Sequence, residues 1–379
     1  MSVYLDNAAT TSLRKEALDA MMPYLTTEYG NPSSQNDIGT GCHKAVEDAR
    51  KVIAESINAE PEEIFFTSGG SEANSWAIKG TLFKYSRNII TTPIEHHSLL
   101  NACETISSIN GGLIWFLSVD KHGFISLDNM NELADRYEDG FISVMMVNNE
   151  LGTIEPIKEI GKALNGKDYI FHTDAVQAYG HMSIDVKDLR VDMLSASAHK
   201  INGPKGVGFL YVRKDIQQYL RPLISGGQQE RYMRGGTENV PGIVGFAKAA
   251  ELAMSEMEEV NRRNSIMQSH LIGCIQMRGG HVNSSLFNSS PSHLSFRFDG
   301  IKAELWNEFF NEQSIYVSSG SACNSLSGEP SHVLTSVGLG EKHADESIRV
   351  SFGKDTTSDD VKQFEKALDI GLELFRGSL

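Results

Sequence analysis

Long apolar runs are missing from this sequence of 379 residues, of which 40% are apolar and 22% charged. The longest apolar stretch, around residues 141–147, is far shorter than the ~20 residues that a membrane-spanning helix needs. Residues 4–6 predict a strand at a position where a secretory signal peptide would have its charged and apolar segments, so no signal peptide is expected. We therefore expect a cytoplasmic protein without membrane contact, long enough for two or three domains.

Basic residues are scarce relative to acidic ones. The chain has 34 lysines and arginines against 49 aspartates and glutamates, which gives a formal net charge of −15. An acidic surface repels phosphate backbones, so direct binding of nucleic acid is not expected. Basic proteins are the more plausible partners.

Cysteine is also scarce, and Cys42, Cys103, Cys274 and Cys323 lie 61, 171 and 49 residues apart. These separations predict no metal site, and a reducing compartment would keep the four side chains as thiols. The first three lie in helical patterns, where a cysteine usually packs as a small apolar residue. Cys323 differs, because its surroundings (SSGSACNSLSGEPSH) are polar and rich in glycine, which predicts an exposed loop with an accessible thiol.

Short β-rich runs alternate with helical patterns from about residue 60 to residue 212. Such alternation predicts a mostly parallel sheet with helices on both faces, in which ligands bind at the carboxyl ends of the strands. Residues 240–276 predict one long helix, after which the pattern becomes that of a smaller α+β unit. We predict a large domain of residues 15–255 and a small domain formed by residues 1–14 and 256–379.

Three strand ends carry polar residues with a possible chemical role. In SGGSEAN, glycines and Ser71 open a helix and predict either an ordinary helix cap, with Ser71 as the N-cap, or an anion site. Asp174 could cap a helix or pair with a protonated ring nitrogen. Lys200 could be a surface charge or a Schiff-base nucleophile. Taken together, the three fit pyridoxal phosphate (PLP), which needs an anion site, a partner for its pyridine nitrogen and a lysine.

A series of motifs runs through nearly the whole chain: YLDNAATT (4–11), TSGGSEAN (67–74), NNELGT (148–153), HTDAVQAYG (172–180), SAHKINGPKG (197–206), RGGTENVPGIVG (234–245), SSGSAC (318–323) and IRVSFG (348–353). With these motifs the chain resembles the NifS/IscS-type cysteine desulfurases, a branch of the class V aminotransferase superfamily of fold-type I PLP enzymes. This resemblance implies an α/β fold with a mostly parallel seven-stranded sheet between layers of helices, and a smaller α+β domain.

The resemblance implies a role at the cofactor for most candidate residues. Lys200 would hold PLP covalently and move the Cα proton of the substrate, and Asp174 would keep the pyridine nitrogen protonated. His96 would stack on the ring, although the neighbouring His97 leaves that assignment open. Gln177 and Asn149 would contact the ring hydroxyl. The phosphate would be bound by Gly70, Ser71, Ser197 and His199. Thr237 would contact the phosphate bound in the other subunit of a homodimer.

The resemblance also implies the reaction. Arg349 and Asn149 would bind the carboxylate of L-cysteine, and Cys323 would take its sulfur as a persulfide and leave L-alanine. The persulfide would pass to an acceptor protein that serves iron–sulfur cluster assembly, tRNA thiolation or DNA phosphorothioation. Asn324 follows Cys323 where relatives usually have threonine or a similar small residue, so the identity of the acceptor stays open.

Two other functions remain open from the sequence. A selenocysteine lyase or another class V PLP enzyme would share the cofactor residues. A non-enzymatic scaffold for sulfur relay would not need Lys200, so the presence of this lysine argues against it.

Overall fold

The computed structural model describes residues 2–81, 88–137, 139–320 and 330–376. The strands are β1 (Val3–Tyr4), β2 (Ile64–Thr67), β3 (Asn88–Thr91), β4 (Leu113–Phe116), β5 (Asp139–Ser143), β6 (Asp168–Asp174), β7 (Met193–Ser197), β8 (Gly208–Val212), β9 (His281–Val282), β10 (His293–Arg297), β11 (Ile315–Tyr316) and β12 (Ser347–Ser351). The helices are α1 (Lys15–Thr26), α2 (Asp37–Glu55), α3 (Gly70–Gly80), α4 (His97–Asn110), α5 (Leu127–Arg136), α6 (Ile157–Ala163), α7 (Val186–Leu189), α8 (Val240–Met277), α9 (Ala303–Glu312), α10 (His332–Ser336), α11 (Glu341–Asp345) and α12 (Ser358–Arg376).

The main sheet has seven strands in the order β2-β8-β7-β6-β5-β3-β4. Only β8 runs antiparallel to its neighbours, and the other pairs are parallel. Parallel strands are joined by crossovers that bring helices over the faces of the sheet, so their carboxyl ends meet at one edge. The fold class predicted from the sequence is confirmed.

Both faces of the main sheet are covered. On β2, Phe65 packs among buried residues of α3 and α4, whereas Phe66 points to the opposite face and packs with α2 and α8. The side chains of β8 alternate in the same way: Phe209 lies on the face of Phe66, and Leu210 lies on the face of Phe65. Burial on both sides explains why these strands are continuous apolar runs without polar alternation.

The long helix α8 connects two hydrophobic cores. Its first half contributes Phe246 to the first core, which lies on one face of the main sheet, and its last turns contribute Leu271 to a second core. The second core is built from β10, β12, α9 and α12, and Val3 and Leu5 of the N-terminal segment join it. The domain boundary expected at residues 255 and 256 falls within α8 and stays a prediction.

In the part of the chain that the structure describes, no helix is both long enough and apolar enough to span a membrane. The helix predicted at residues 240–276 is present as α8, and strands and helices of the predicted α+β pattern follow it.

Candidate active site

The carboxyl ends of the main strands surround one open cleft of about 830 Å³, counting the solvent in its mouth. Ten of the twelve site residues predicted from the sequence line it: Gly70, Ser71, His96, Asn149, Asp174, Gln177, Ser197, His199, Lys200 and Arg349. They come from six separate stretches of the chain, so the fold brings together residues that lie far apart in the sequence.

The N-terminus of α3 forms one end of this cleft. The N-cap is Gly69, whose φ of 150° and lack of a side chain exclude the ordinary side-chain cap, so the alternative prediction of Ser71 as the N-cap is wrong. Gly70 has no space for a side chain, because a Cβ there would lie 2.6 Å from Cγ2 of Val176. Its backbone is therefore close to the turn after β6, and the first N–H groups of α3 are available to an anion.

Asp174, the last residue of β6, is held by two donors. Nδ2 of Asn74 donates to Oδ2 at 2.7 Å, and the backbone N–H of Val176 donates to Oδ1 at 2.9 Å. Nδ2 of Asn74 also donates to the hydroxyl of Ser98 at 2.9 Å, which links α3 to α4 beneath the cleft. The carboxylate is fixed in one orientation, as a partner for a cationic ring nitrogen has to be.

A second buried carboxyl group, Glu95, lies close enough to Asp174 to interact electrostatically. Burial raises the pKa of Glu95 well above its usual range, and the charge of Asp174 acts in the same direction. Oε1 of Glu95 accepts hydrogen bonds from the backbone N–H of Met145 and the hydroxyl of Thr92, at 2.8 and 2.9 Å. Burial of Glu95 beside Asp174 therefore disfavours a second negative charge at this end of the cleft.

The two adjacent histidines have different surroundings. His96 lines the cleft, and its Nδ1 accepts from the backbone N–H of Ser98 at 3.1 Å. The ring of His97 lies instead against His332, with centroids 4.2 Å apart. Burial lowers the pKa of His96, so the ring is neutral near pH 7, and with Nδ1 accepting, its hydrogen is on Nε2. This geometry favours His96 over His97 as the ring that stacks on a cofactor.

Lys200 follows β7 in a short turn, and its ammonium group reaches the N-terminal segment. Nζ donates to the backbone oxygens of Ala8, at 2.5 Å, and Ala9, at 2.8 Å. Nε2 of Gln177 donates to the same oxygen of Ala8 at 3.0 Å. Lys200 is thus a lysine of the cleft and not of the outer surface, and Ala8 belongs to the site although the sequence gave no reason to single it out.

The phosphate end of the expected site also contains His199. Its Nδ1 lies 3.1 Å from the hydroxyl of Thr10. Burial, with Lys200 and Lys205 nearby, lowers the pKa of His199 to about 4. His199 is therefore a neutral hydrogen-bonding group at physiological pH, and the positive charge nearby comes from the two lysines.

Arg349 approaches the cleft from β12. Its side chain is only 2% exposed, Nη1 donates to the backbone oxygen of Asn149 at 2.9 Å, and Nη2 pairs with Oδ1 of Asp6 at 2.7 Å. Asp6 was not expected at the site. Its carboxylate balances the buried guanidinium, because a buried charge without a partner is strongly unfavourable.

Two predicted residues do not line the cleft. Thr237 is exposed and lines a separate depression next to α8. This depression shares Ser68 and Gly206 with an opening at the expected phosphate end of the cleft, so Thr237 lies on the same side of the molecule. Cys323 falls in the stretch 321–329, outside the residues that the structure describes.

Comparison with known proteins identifies the family of this chain. A profile of the aminotransferase class-V family matches residues 3–364. The chain belongs to this family. Cysteine desulfurase IscS of Methanosarcina thermophila is 46% identical over 364 residues, which cover 95% of this chain and 89% of the relative. A solved NifS-like protein superposes with a TM-score of 0.92 at 36% identity, over 99% of this chain and 100% of that one. A structure of SspA in complex with cysteine has a TM-score of 0.82 at 38% identity, over 94% and 100%.

Class-V members of this branch are PLP-dependent enzymes, and so is this chain. The cleft fits the cofactor. Besides the amine of Lys200 and the carboxylate of Asp174, it has buried polar atoms without a hydrogen-bond partner among the described residues: Oδ1 of Asn74, Oδ1 of Asn149 and Nε of Arg349. Unpartnered polar atoms are costly when buried, so a polar ligand here would satisfy groups that the protein leaves open.

Sequence reasoning missed Asn74, Ser98 and Asp6. A signal for Asn74 was present, because it lies three residues after Ser71 and therefore on the same face of α3. Asp6 gave no such signal, since its partner Arg349 is 343 residues away.

Proposed function

We propose that this chain is a cysteine desulfurase that converts L-cysteine and a thiol of its own into L-alanine and a persulfide on Cys323. The observation that carries the proposal is the single cleft that unites Lys200, Asp174 and Arg349. A PLP enzyme that acts on amino acids needs a lysine and a carboxylate, here Lys200 and Asp174, to hold the cofactor. Arg349 is suited to binding the free carboxylate of the substrate. The related SspA, solved with cysteine, supports the choice of substrate.

Arg349 would bind the carboxylate of the substrate. A guanidinium offers a planar fork of donors that matches a carboxylate, and Nε of Arg349 has no partner among the described residues. The side chain is already held by Asn149 and Asp6, so little conformational entropy is lost when the substrate binds.

PLP bound through Lys200 would withdraw electrons from Cα of cysteine through a pyridinium nitrogen that pairs with Asp174. Lys200, once its amine is released, would take the proton from Cα. Its position beside the backbone oxygens of Ala8 and Ala9 keeps this amine in the cleft. His96 is neutral with its hydrogen on Nε2, and it would stack against the ring and offer this hydrogen as a donor.

Cys323 would accept the sulfur. Its thiolate would attack the sulfur of the substrate, so that an S–S bond forms as the Cβ–S bond breaks, and Cβ would take up a proton to become the methyl group of alanine. The described ends of the Cys323 segment support this role. Ser331 donates to Oε2 of Glu150 at 2.5 Å, and a Cβ on Gly320 would lie 3.2 Å from the same oxygen. Glu150 directly follows Asn149 of the cleft, so the segment begins and ends beside the site.

Two partners belong to the proposal. A homodimer would place Thr237 at the phosphate end of the cleft in the other subunit. A protein would then take the persulfide sulfur from Cys323 in the reducing environment of the cytoplasm. The described Cys42, Cys103 and Cys274 are free thiols, which suits such an environment.

The substitution Cys323→Ala tests the function. The variant should still bind PLP and cysteine, because Lys200, Asp174 and Arg349 are unchanged, but it should form neither alanine nor sulfide above background. Cys103→Ala is the matched control, since this cysteine is buried in α4 away from the cleft, and it should keep wild-type turnover. Rapid sulfide release by Cys323→Ala would indicate a lyase that needs no enzyme thiol, and transamination products from the wild type would indicate an aminotransferase.

A further inference from the structure

Three potential metal ligands converge on the surface of the second core, away from the cleft. His270 and Cys274 lie one turn apart near the end of α8, and Glu365 comes from α12, which packs beside it. Sγ of Cys274 lies 3.6 Å from Nε2 of His270 and 3.2 Å from Oε1 of Glu365, and the latter two atoms are 2.6 Å apart. Cys274 is 5% exposed, whereas the side chain of His270 is 56% exposed.

We propose that His270, Cys274 and Glu365 form a binding site for a thiophilic divalent cation, with zinc as the best match. A tetrahedral zinc with ordinary bond lengths would place its sulfur ligand about 3.5 Å from the nitrogen and oxygen ligands, and those two about 3.3 Å apart. Two of the three observed separations are already close to these values. The third needs to widen by roughly 0.7 Å, and the exposed ring of His270 can move by that amount through its side-chain torsions.

The coordination number follows from burial. Three protein ligands leave one tetrahedral position, and the exposed side of His270 opens it to water. A thiolate and a carboxylate together carry the two negative charges that balance a divalent cation. Sulfur in the ligand set favours zinc over magnesium or calcium, which prefer oxygen ligands only.

The arrangement does not fit a nucleophilic triad. In such a triad the acid orients the histidine through one ring nitrogen while the thiol uses the other. Here both Glu365 and Cys274 approach the same atom, Nε2 of His270, at 2.6 and 3.6 Å. Convergence of three donor atoms on one point is the geometry of a coordination site.

The nearest cation does not prevent binding. Arg278 uses Nε and Nη2 for a two-pronged pair with Asp369, and its Nη1 donates to the backbone oxygen of Cys274. Its charge is therefore already largely balanced by Asp369. A second cluster, Asp299, His343 and Glu346, has no sulfur and has Lys342 within 4.0 Å of Glu346, so it is the weaker candidate.

The prediction of no metal site and of an inert Cys274 rested on the separation of the cysteines along the sequence. The third ligand, Glu365, lies 91 residues after Cys274 and comes close only when α12 packs on α8. A bound cation would cross-link these two helices, and both contribute to the second core that carries Arg349. The proposal does not depend on the desulfurase activity.

Zinc titration of the PLP-bound protein tests the site, in a Cys323→Ser background that removes the thiol of the proposed sulfur transfer. We expect one zinc ion per chain, one sulfur in its coordination shell by X-ray absorption, and a higher Tm with zinc than after chelation. His270→Ala should weaken zinc binding at least tenfold, and this exposed residue can be changed without disturbing the core. Glu365→Gln, which keeps size and shape, should weaken it as well.

His343→Ala, in the second cluster, is the matched control and should bind zinc with unchanged affinity. The proposal is refuted if zinc does not bind, if it binds without a sulfur ligand, or if His270→Ala retains wild-type affinity while His343→Ala loses it. Because these readouts are affinity, coordination and Tm, they are independent of whether the protein turns over cysteine.

Discussion

Replacing Arg349 with lysine should separate binding of the substrate from binding of the cofactor. The side chain of Arg349 is 2% exposed; its Nη1 donates to the backbone oxygen of Asn149 and its Nη2 to the carboxylate of Asp6. Lysine keeps the positive charge that Asp6 requires, but its single ammonium cannot hold both partners and a substrate carboxylate in one plane. A hydrogen bond to a charged group contributes about 1.5–3 kcal/mol, so cysteine affinity should fall roughly 10- to 150-fold.

The assay is steady-state desulfuration at a series of cysteine concentrations, with PLP content measured from its absorbance. We expect a raised KM and full PLP occupancy, because no contact of Lys200 or Asp174 changes. Arg297→Lys is the matched control: Arg297 lies on the adjacent β10 and bonds to Asn283, outside the cleft. An unchanged KM in Arg349→Lys would remove this residue from the substrate site, and loss of PLP would mean that its role is structural.

Three further predictions follow from single contacts. Thr237→Ala should weaken PLP retention about tenfold or more in a protein that stays dimeric by size-exclusion chromatography; a monomer that keeps PLP would contradict the contact between subunits. Gly70→Ala should also weaken PLP binding in equilibrium dialysis, because its Cβ would meet Val176 at 2.6 Å, whereas Gly273→Ala, where a Cβ meets nothing within 4 Å, should not. Burial raises the pKa of Glu155 to about 8, so between about pH 4.5 and 8 the unfolded chain loses a proton that the folded chain keeps, and stability falls as pH rises. Glu155→Gln should remove this cost of roughly 3–5 kcal/mol. The variant should then have a higher Tm than wild type, by a margin that grows from pH 5 to pH 8. Equal Tm values for variant and wild type at both pH values would refute the reasoning.

The fold was predictable because its strands are unusually clear. The central strands of the main sheet are buried on both faces, and strands alternate with helices in the pattern of an α/β fold. Strand ends were less predictable: the apolar run at 141–147 forms strand only to Ser143, although residues 144–147 stay buried. Burial continues there because the chain turns toward the cleft, and apolar character alone cannot distinguish a buried strand from a buried connection.

The site was predictable where a motif is local and unpredictable where it depends on packing. Asp174 ends a strand that the pattern identifies and Lys200 follows another, so their place at one edge of the sheet could be expected. The hydrogen bond from Asn74 to Asp174 joins residues 100 positions apart, and no periodicity in either segment reports it. The preference for His96 over His97 also depends on the structure, because adjacent residues differ in the direction of their side chains.

The N-terminal segment explains why the cleft lies where the two cores meet. Val3 and Leu5 are buried in the second core, and directly after them Asp6 pairs with Arg349. Two residues further along, the backbone oxygens of Ala8 and Ala9 accept the hydrogen bonds of Lys200, which follows β7 of the main sheet. One short stretch of chain therefore contacts both the proposed substrate-binding arginine and the proposed cofactor lysine. A change in the packing of the second core would reach the proposed carboxylate site through Asp6, whereas Asp174, held by Asn74 and the turn after β6, would be unaffected.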